Sequence, residues 1–418
     1  MSEQSVSRFW DRYIKKTSMY GIKPDLARWY VRHAEMYIKS NGKRLSQHMP
    51  QDVDSYLKEK GRHAFIKDWQ FQQIVTALKI LFTDMVDVSY SNSFPWQTWI
   101  DNSHELTHDH ATVARDYQPL KARLSTDAVE RNRGRSADHV EHEDLRYRQV
   151  KAIRLSGYSI RTEKAYSSWL EKFLNFHRNT QTSSLDESHI ARFLEHLAIN
   201  KQVSSSTQSQ ALNAIIYFYR HVLGKQIAEN IEFIRSKKPK RLPVVLSKEE
   251  VALVMEKMVN PTFNLMANLL YGCGMRLMEC VRLRVLDIDF TYRQILIRQA
   301  KGKKDRVAPM PDKLFTPLKE QVKQVETMHA EDLKQGYGSV YLPGTLSRKY
   351  RNAERELRWQ YVFPSVKLSV DPRSGEVRRH HINERGLQRH IKRAADMTGI
   401  NKRVTCHTLR HTFATHLL

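Results

Sequence analysis

The sequence has 418 residues, 40% of them hydrophobic, and its 69 lysines and arginines against 45 aspartates and glutamates give a formal net charge of +24. Such a length exceeds one ordinary core and implies two to four domains, and the charge makes a polyanion the first partner to consider. No apolar run reaches the roughly 20 residues of a membrane span, and the start MSEQSVSRFWDRYIKK has no apolar signal core. A soluble, cytoplasmic protein without a membrane partner is therefore expected. Its three cysteines, Cys273, Cys280 and Cys406, lack metal-site spacing and suit a reducing compartment. The charge is uneven: residues 1–140 carry 21 basic and 17 acidic side chains, leaving 48 and 28 for the rest. The polyanion site is expected beyond residue 140.

Residues 1–100 show apolar positions three and four apart. Tyr30, Ala34, Tyr37 and Ile38 are followed by Val53, Tyr56 and Leu57, then by Ile74, Ala77, Leu78, Leu81 and Phe82. Residues 146–225 repeat the pattern with Tyr166, Leu170, Phe173 and Leu174, then Ile190, Phe193 and Leu194, then Leu212, Ala214, Ile215, Phe218 and Tyr219. The offset stays near 136 to 137, which predicts two copies of one small helical domain. Between them, residues 101–145 are polar and read as a linker. Its histidines, His104, His108, His110, His139 and His142, have no ordered ligand spacing. In the second copy, Arg161, Thr162, Lys164 and Ser167 near the first helix, and Ser204 to Thr207 before the last, can reach phosphates.

Residues 226–246 form a second linker that ends in a basic, proline-containing run unsuited to a helix interior. Lys238, Lys240 and Arg241 there suit either a solvated charge run or a strap along a DNA backbone. A third unit, 247–418, opens with Ser247 capping a helix whose first turn holds Glu249 and Glu250. At 269–279, LLYGCGMRLME, the glycines permit a tight turn and place Arg276 at a helix start, where it can face an anion. QILIRQ, KGKK and RVAPMP then read as strand, turn and returning strand, with Lys301 and Lys303 at the tip. The turn lacks a nucleotide-binding loop pattern, so ATP is not suggested. In CHTLRHTFATHLL, Leu409, Phe413 and Leu417 are expected to form a buried stripe, with His407, Arg410 and His411 on another face. Thr408 stands where a zinc hydrolase needs its glutamate, so no metal is assigned.

In order and setting, Arg276, Lys301, His407 and Arg410 resemble the active site of the tyrosine recombinases: an arginine turn, a hairpin lysine and a His-x-x-Arg helix. The resemblance covers residues 145–418. It implies a mainly α fold with a small antiparallel β hairpin, made of helical SAM-like core-binding domains and a mixed α/β catalytic domain. The implied activity is site-specific DNA recombination and integration by metal-free phosphoryl transfer without a cofactor, on DNA held by a tetramer. Arg276 and Arg410 would neutralise the phosphoryl oxygens, Lys301 would protonate the leaving 5′-oxygen, and His407 would bond the phosphate or assist proton transfer.

Residues 337–385 resemble the insertion that sets integron integrases apart, which holds bases projecting from a folded single-stranded site. Trp359, Tyr361, Phe363, His380 and His381 are the candidates for that task, with Arg378 and Arg379 beside them. Trp359 and Phe363 suit the insertion's own core equally well. In the family a tyrosine nucleophile follows the His-x-x-Arg helix, whereas Tyr337, Tyr341, Tyr350 and Tyr361 precede it and the sequence ends at Leu418. DNA binding without cleavage is thus expected of these 418 residues. The copy at 1–100 is a further departure, for which a contact with protein is favoured. The alternative is a non-catalytic DNA-binding, regulatory or architectural protein; an RNA-binding protein would show an aromatic sheet signature that is absent.

Overall fold

Many helix starts fall where the sequence supplies a capping side chain or a proline. In the computed structural model, residues 3–107, 110, 112, 137–227, 231–236, 242–298, 305–342, 346–350, 352–371 and 374–417 are described. They are mainly helical with small antiparallel sheets. The chain divides into two compact units, residues 1–106 with 243–418, and residues 107–242. The two divisions lie at residues 106–107 and 242–243. The first helical copy, however, is not a body of its own; it packs with the C-terminal part.

That copy comprises α1 (Glu3–Ser18), α2 (Pro24–Ser40), α3 (Pro50–Arg62) and α4 (Asp68–Lys79), a π-helical turn over Ile80–Val86, and a short α5 (Trp96–Asp101). Tyr37, Leu57, Phe71, Leu78 and Phe82 form its core, closed by Trp96 and Trp99. The second copy repeats the order with α6 (Ala137–Leu155), α7 (Ile160–Phe176), α8 (Glu187–Ile199), α9 (Ser205–Phe218) and a π-helical turn over Tyr219–Leu223. Its core holds Leu170, Phe173, Phe193, Ile215 and Phe218. The residues preceding the helices pair as 23 with 159, 49 with 186 and 67 with 204, and a left-handed residue ends each copy, Asp87 and Gly224. The repetition therefore extends from the apolar pattern to the backbone. The caps differ: in the second copy Ser159, Asp186 and Ser204 accept backbone N–H bonds, while the first uses Pro24 and Pro50, whose missing N–H costs nothing in a first turn.

The C-terminal part runs α10 (Lys248–Lys257), α11 (Pro261–Gly272) and α12 (Leu277–Val281), then a sheet of β1 (Ile288–Asp289), β2 (Gln294–Ile297) and β3 (Arg306–Pro309). After α13 (Asp312–Lys334) come a two-stranded sheet, β4 (Ser369–Val370) and β5 (Val377–Arg378), then α14 (Glu384–Asp396) and α15 (Cys406–His416). β2 and β3 pair antiparallel with Ile297 opposite Arg306, and the alternation sends Ile295, Ile297 and Ala308 into the core. All three cysteines are buried there, and burial pushes the Cys273 and Cys406 thiols up to about 12, which leaves them protonated and inert.

Candidate active site

Three elements meet around one carboxylate. α11 ends at Gly272, and Gly274 has φ of +56°, so the chain reverses before Arg276 and places it at the N-cap of α12. Glu279, three residues on, accepts the Arg276 backbone N–H at 2.8 Å and its Nη1 at 2.6 Å. Arg306, the first residue of β3, donates from Nη2 to Glu279 at 2.8 Å and to the Gly274 carbonyl at 3.2 Å. Arg410, from α15, donates to the same carbonyl and lies 3.7 Å from Glu279. Three guanidiniums thus share one carboxylate, and positive charge is left over.

The Glu279 side chain is 9% exposed, while those of Arg276, Arg306 and Arg410 are 35%, 33% and 27% exposed, so the cations are the part that solvent or a ligand meets. Burial raises the Glu279 pKa, but hydrogen bonds from Arg276 and Arg306 outweigh it and hold the carboxyl below its ordinary value. Burial, and then the neighbouring Arg276, push the Arg410 pKa down. An anion bound there would relieve that repulsion. The turn depends on Gly274, because a Cβ there would lie 2.3 Å from the Phe413 ring in a backbone conformation that favours glycine. Gly274→Ala is expected to destabilise this unit by about 2 to 4 kcal/mol, combining left-handed strain with overpacking. Chemical denaturation checks it, and an unchanged midpoint would contradict it.

His407 is exposed in the first turn of α15, and Leu409 and Thr412 are buried beneath it. The Leu246 N–H donates to Thr412, and His416 contacts the Tyr271 hydroxyl at 2.9 Å and the Leu246 carbonyl at 3.0 Å, so His416 anchors the helix. The expected apolar stripe is shorter than read: Phe413 is half-buried, and Leu417, which caps the helix after its last turn, is 70% exposed. Lys301, Lys303, Lys238, Lys240 and Arg241 lie outside the described residues. Arg161 and Lys164 are exposed on α7, in the other unit.

For the 337–385 segment the structure corrects the expectation of an exposed basic and aromatic surface. Arg378 and Arg379 are 9% and 7% exposed, His380 and His381 3% and 0%. Arg378 is ringed by Glu354, Asp371 and Glu376, and Arg379 grips buried Asp332 with two bonds of 2.5 and 2.8 Å. His381 contacts the Ile382 carbonyl through Nδ1 and meets Tyr361 edge-on. Arg378 is compensated by Glu376, two residues away, together with Asp371 and Glu354, and Arg379 by Asp332, so neither arginine is left to meet a base. Trp359 is half-buried against Val340, Leu342, Ala353 and Tyr361, and Phe363 is fully buried, so both pack a core.

Glu279 and Arg306 were not singled out from sequence, although Glu279 stands at the capping position three residues after Arg276. Also passed over was α14, where Gly386, Leu387, Ile391 and Ala394 are buried and Arg385, Arg389, Lys392 and Arg393 are exposed at helical spacing. Such a one-sided basic helix suits a phosphate backbone. Among the described residues no group of three or more His, Cys, Asp or Glu could hold a metal ion, and no helix is long and apolar enough to cross a membrane.

Comparison with known proteins gives the family of the chain. Residues 145–229 match the family description "Phage integrase, N-terminal SAM-like domain", and residues 233–418 match "Phage integrase family". Relatives from Escherichia coli and Pseudomonas aeruginosa, each named "Integrase/recombinase", are 42% identical over 266 residues, covering 64% of this chain and 79% of each relative. The chain belongs to the phage integrase family. It is a tyrosine recombinase by family, a class that performs site-specific DNA recombination. Among solved structures, the Tn1549 transposon integrase in complex with transposon right end DNA aligns at TM-score 0.44 and 15% identity, covering 65% of this chain and 86% of that one. The family assignment rests on the sequence relatives.

Proposed function

We propose that the chain binds DNA recombination sites as an integron-type tyrosine recombinase, with a backbone phosphate received by Arg276 and Arg410. The observation that carries this is the cluster of three partly exposed guanidiniums held by Glu279 and the Gly274 carbonyl. Glu279 fixes Arg276 and Arg306, the carbonyl fixes Arg410, and the surplus charge favours a phosphodiester over solvent. His407, exposed on the same helix as Arg410, hydrogen-bonds the phosphate, and Lys301 supplies a proton to the leaving oxygen. The nucleophile is not assigned to any of the 418 residues. Arg385, Arg389, Lys392 and Arg393 on α14, together with Arg161 and Lys164 on α7, hold the flanking backbone, and four protomers assemble on paired sites.

The integron-type assignment, with folded single-stranded sites as targets and the cytoplasm as the compartment, rests on the resemblance of the 337–385 segment. Because His380 and His381 are buried, any grip on unpaired bases falls to other residues of that segment. A mobility shift comparing a hairpin with unpaired bulged bases against its fully paired duplex tests it. Tighter binding of the bulged hairpin is expected. Equal affinity for the two would leave a recombinase of duplex sites and remove the integron-type assignment.

A further inference from the structure

The first helical copy meets the C-terminal part mainly through ion pairs and hydrogen bonds, and the two apolar cores remain separate clusters. Lys367 is fully buried, its ammonium 3.1 Å from Asp68 and 2.6 Å from Glu105. Asp101, 3% exposed, lies 3.0 Å from Arg389 and 3.5 Å from His390, both on α14. Leu368 donates its N–H to the Gly61 carbonyl at 2.8 Å, and the Ser365 hydroxyl donates to the Asn102 carbonyl at 3.0 Å. Val366 is the partly buried side chain of that segment that packs on the first copy's core. A cavity of about 390 Å³ remains along the seam, lined in part by Lys58, Arg62, Trp99, Glu331 and Arg379. A polar, incompletely filled seam resembles a transient interface more than a domain core.

The first copy is basic overall, yet on Lys367 and α14 it presents carboxylates. Asp68, Asp101 and Glu105 lie where phosphates would lie if these cations bound DNA. One crossing runs the other way, from Arg62 to Glu331 and Asp332, and Asp332 keeps Arg379 as its partner when Arg62 leaves.

We propose that residues 1–106 are an autoinhibitory partner in cis: their carboxylates occupy Lys367 and Arg389, and nucleic acid must displace them to take those cations. The proposal rests on the DNA-binding function set out above. When the docked state dominates, the apparent affinity for DNA is reduced by the fraction released, so weakening the seam tightens binding. High salt weakens docking and DNA binding alike, so the gain from weakening the seam is largest at low salt.

The test uses the full chain and a duplex DNA. A seam variant, Asp68→Asn with Asp101→Asn and Glu105→Gln, is compared with Asp11→Asn, Asp25→Asn and Glu35→Gln, which removes the same charge away from the seam. The seam variant is expected to bind about tenfold tighter than both the wild type and this control. Equal affinity of the two variants, with wild-type binding intact, overturns the proposal and leaves the DNA-binding function standing. If neither the wild type nor the variants bind, that function falls and the proposal with it. Hydrogen exchange on the unmodified chain gives a readout free of folding defects. DNA should speed exchange of the Leu368 amide, whose acceptor is the Gly61 carbonyl. Protection that stays or grows on DNA binding overturns the proposal.

Discussion

Glu279→Gln is expected to lower the stability of the unit containing it by about 2 kcal/mol, or about 5 °C in melting temperature, and to strengthen its binding of inorganic phosphate. Breaking a fully buried ion pair costs about 3 to 5 kcal/mol, and the smaller figure reflects arginine partners that are about one-third exposed. Loss of the carboxylate leaves Arg276, Arg306 and Arg410 to repel one another, and phosphate is the ligand that relieves them. Melting curves with and without phosphate should therefore separate more for the variant than for the wild type. The sign of the pH dependence follows from the lowered Glu279 pKa. Its contribution is complete above the ordinary value of 4.5 and is lost as pH falls through the lower folded value, so the wild type and the variant should converge in acid. A variant that melts with the wild type at neutral pH would contradict this account of the cluster.

Removing both carboxylates from Lys367, through Asp68→Asn and Glu105→Gln, is expected to cost the docked seam about 3 to 5 kcal/mol, because a fully buried ammonium would lose its compensation. Lys367→Met should cost far less, since a side chain of similar length replaces the charge and needs no partner. Protection of the Leu368 amide reports on the seam directly. It should collapse in the double variant and persist in Lys367→Met. Equal loss in both would mean that shape, not charge, holds the seam.

The parts of the site legible in the sequence are those set by local chemistry. The Gly274 turn, the Arg276 helix start and the β2–β3 hairpin depend on residues a few positions apart, so spacing and alternation reveal them. The repeated helical copy is legible for the same reason, because its apolar periodicity follows the 136 to 137 offset. Long-range compensation is not legible. Arg379 reads as part of an exposed basic patch because nothing nearby in sequence announces that Asp332, 47 residues before it, will pair with it, whereas Glu376, two residues before Arg378, is a local signal. Lys367 and Asp68 are 299 residues apart, and no local signal marks the seam they form. The basic face of α14 is different: Arg385, Arg389, Lys392 and Arg393 stand at helical spacing, a signal that is local and legible in the sequence.

The most direct test is the salt dependence of DNA binding for the wild type, Arg276→Ala and Arg410→Ala. A guanidinium that neutralises a phosphate contributes about one unit to the slope of log affinity against log salt, so each variant should bind about tenfold more weakly at low salt with a shallower slope. Unchanged affinity and slope in both variants would show that DNA does not meet the arginine cluster, and the central claim would fail.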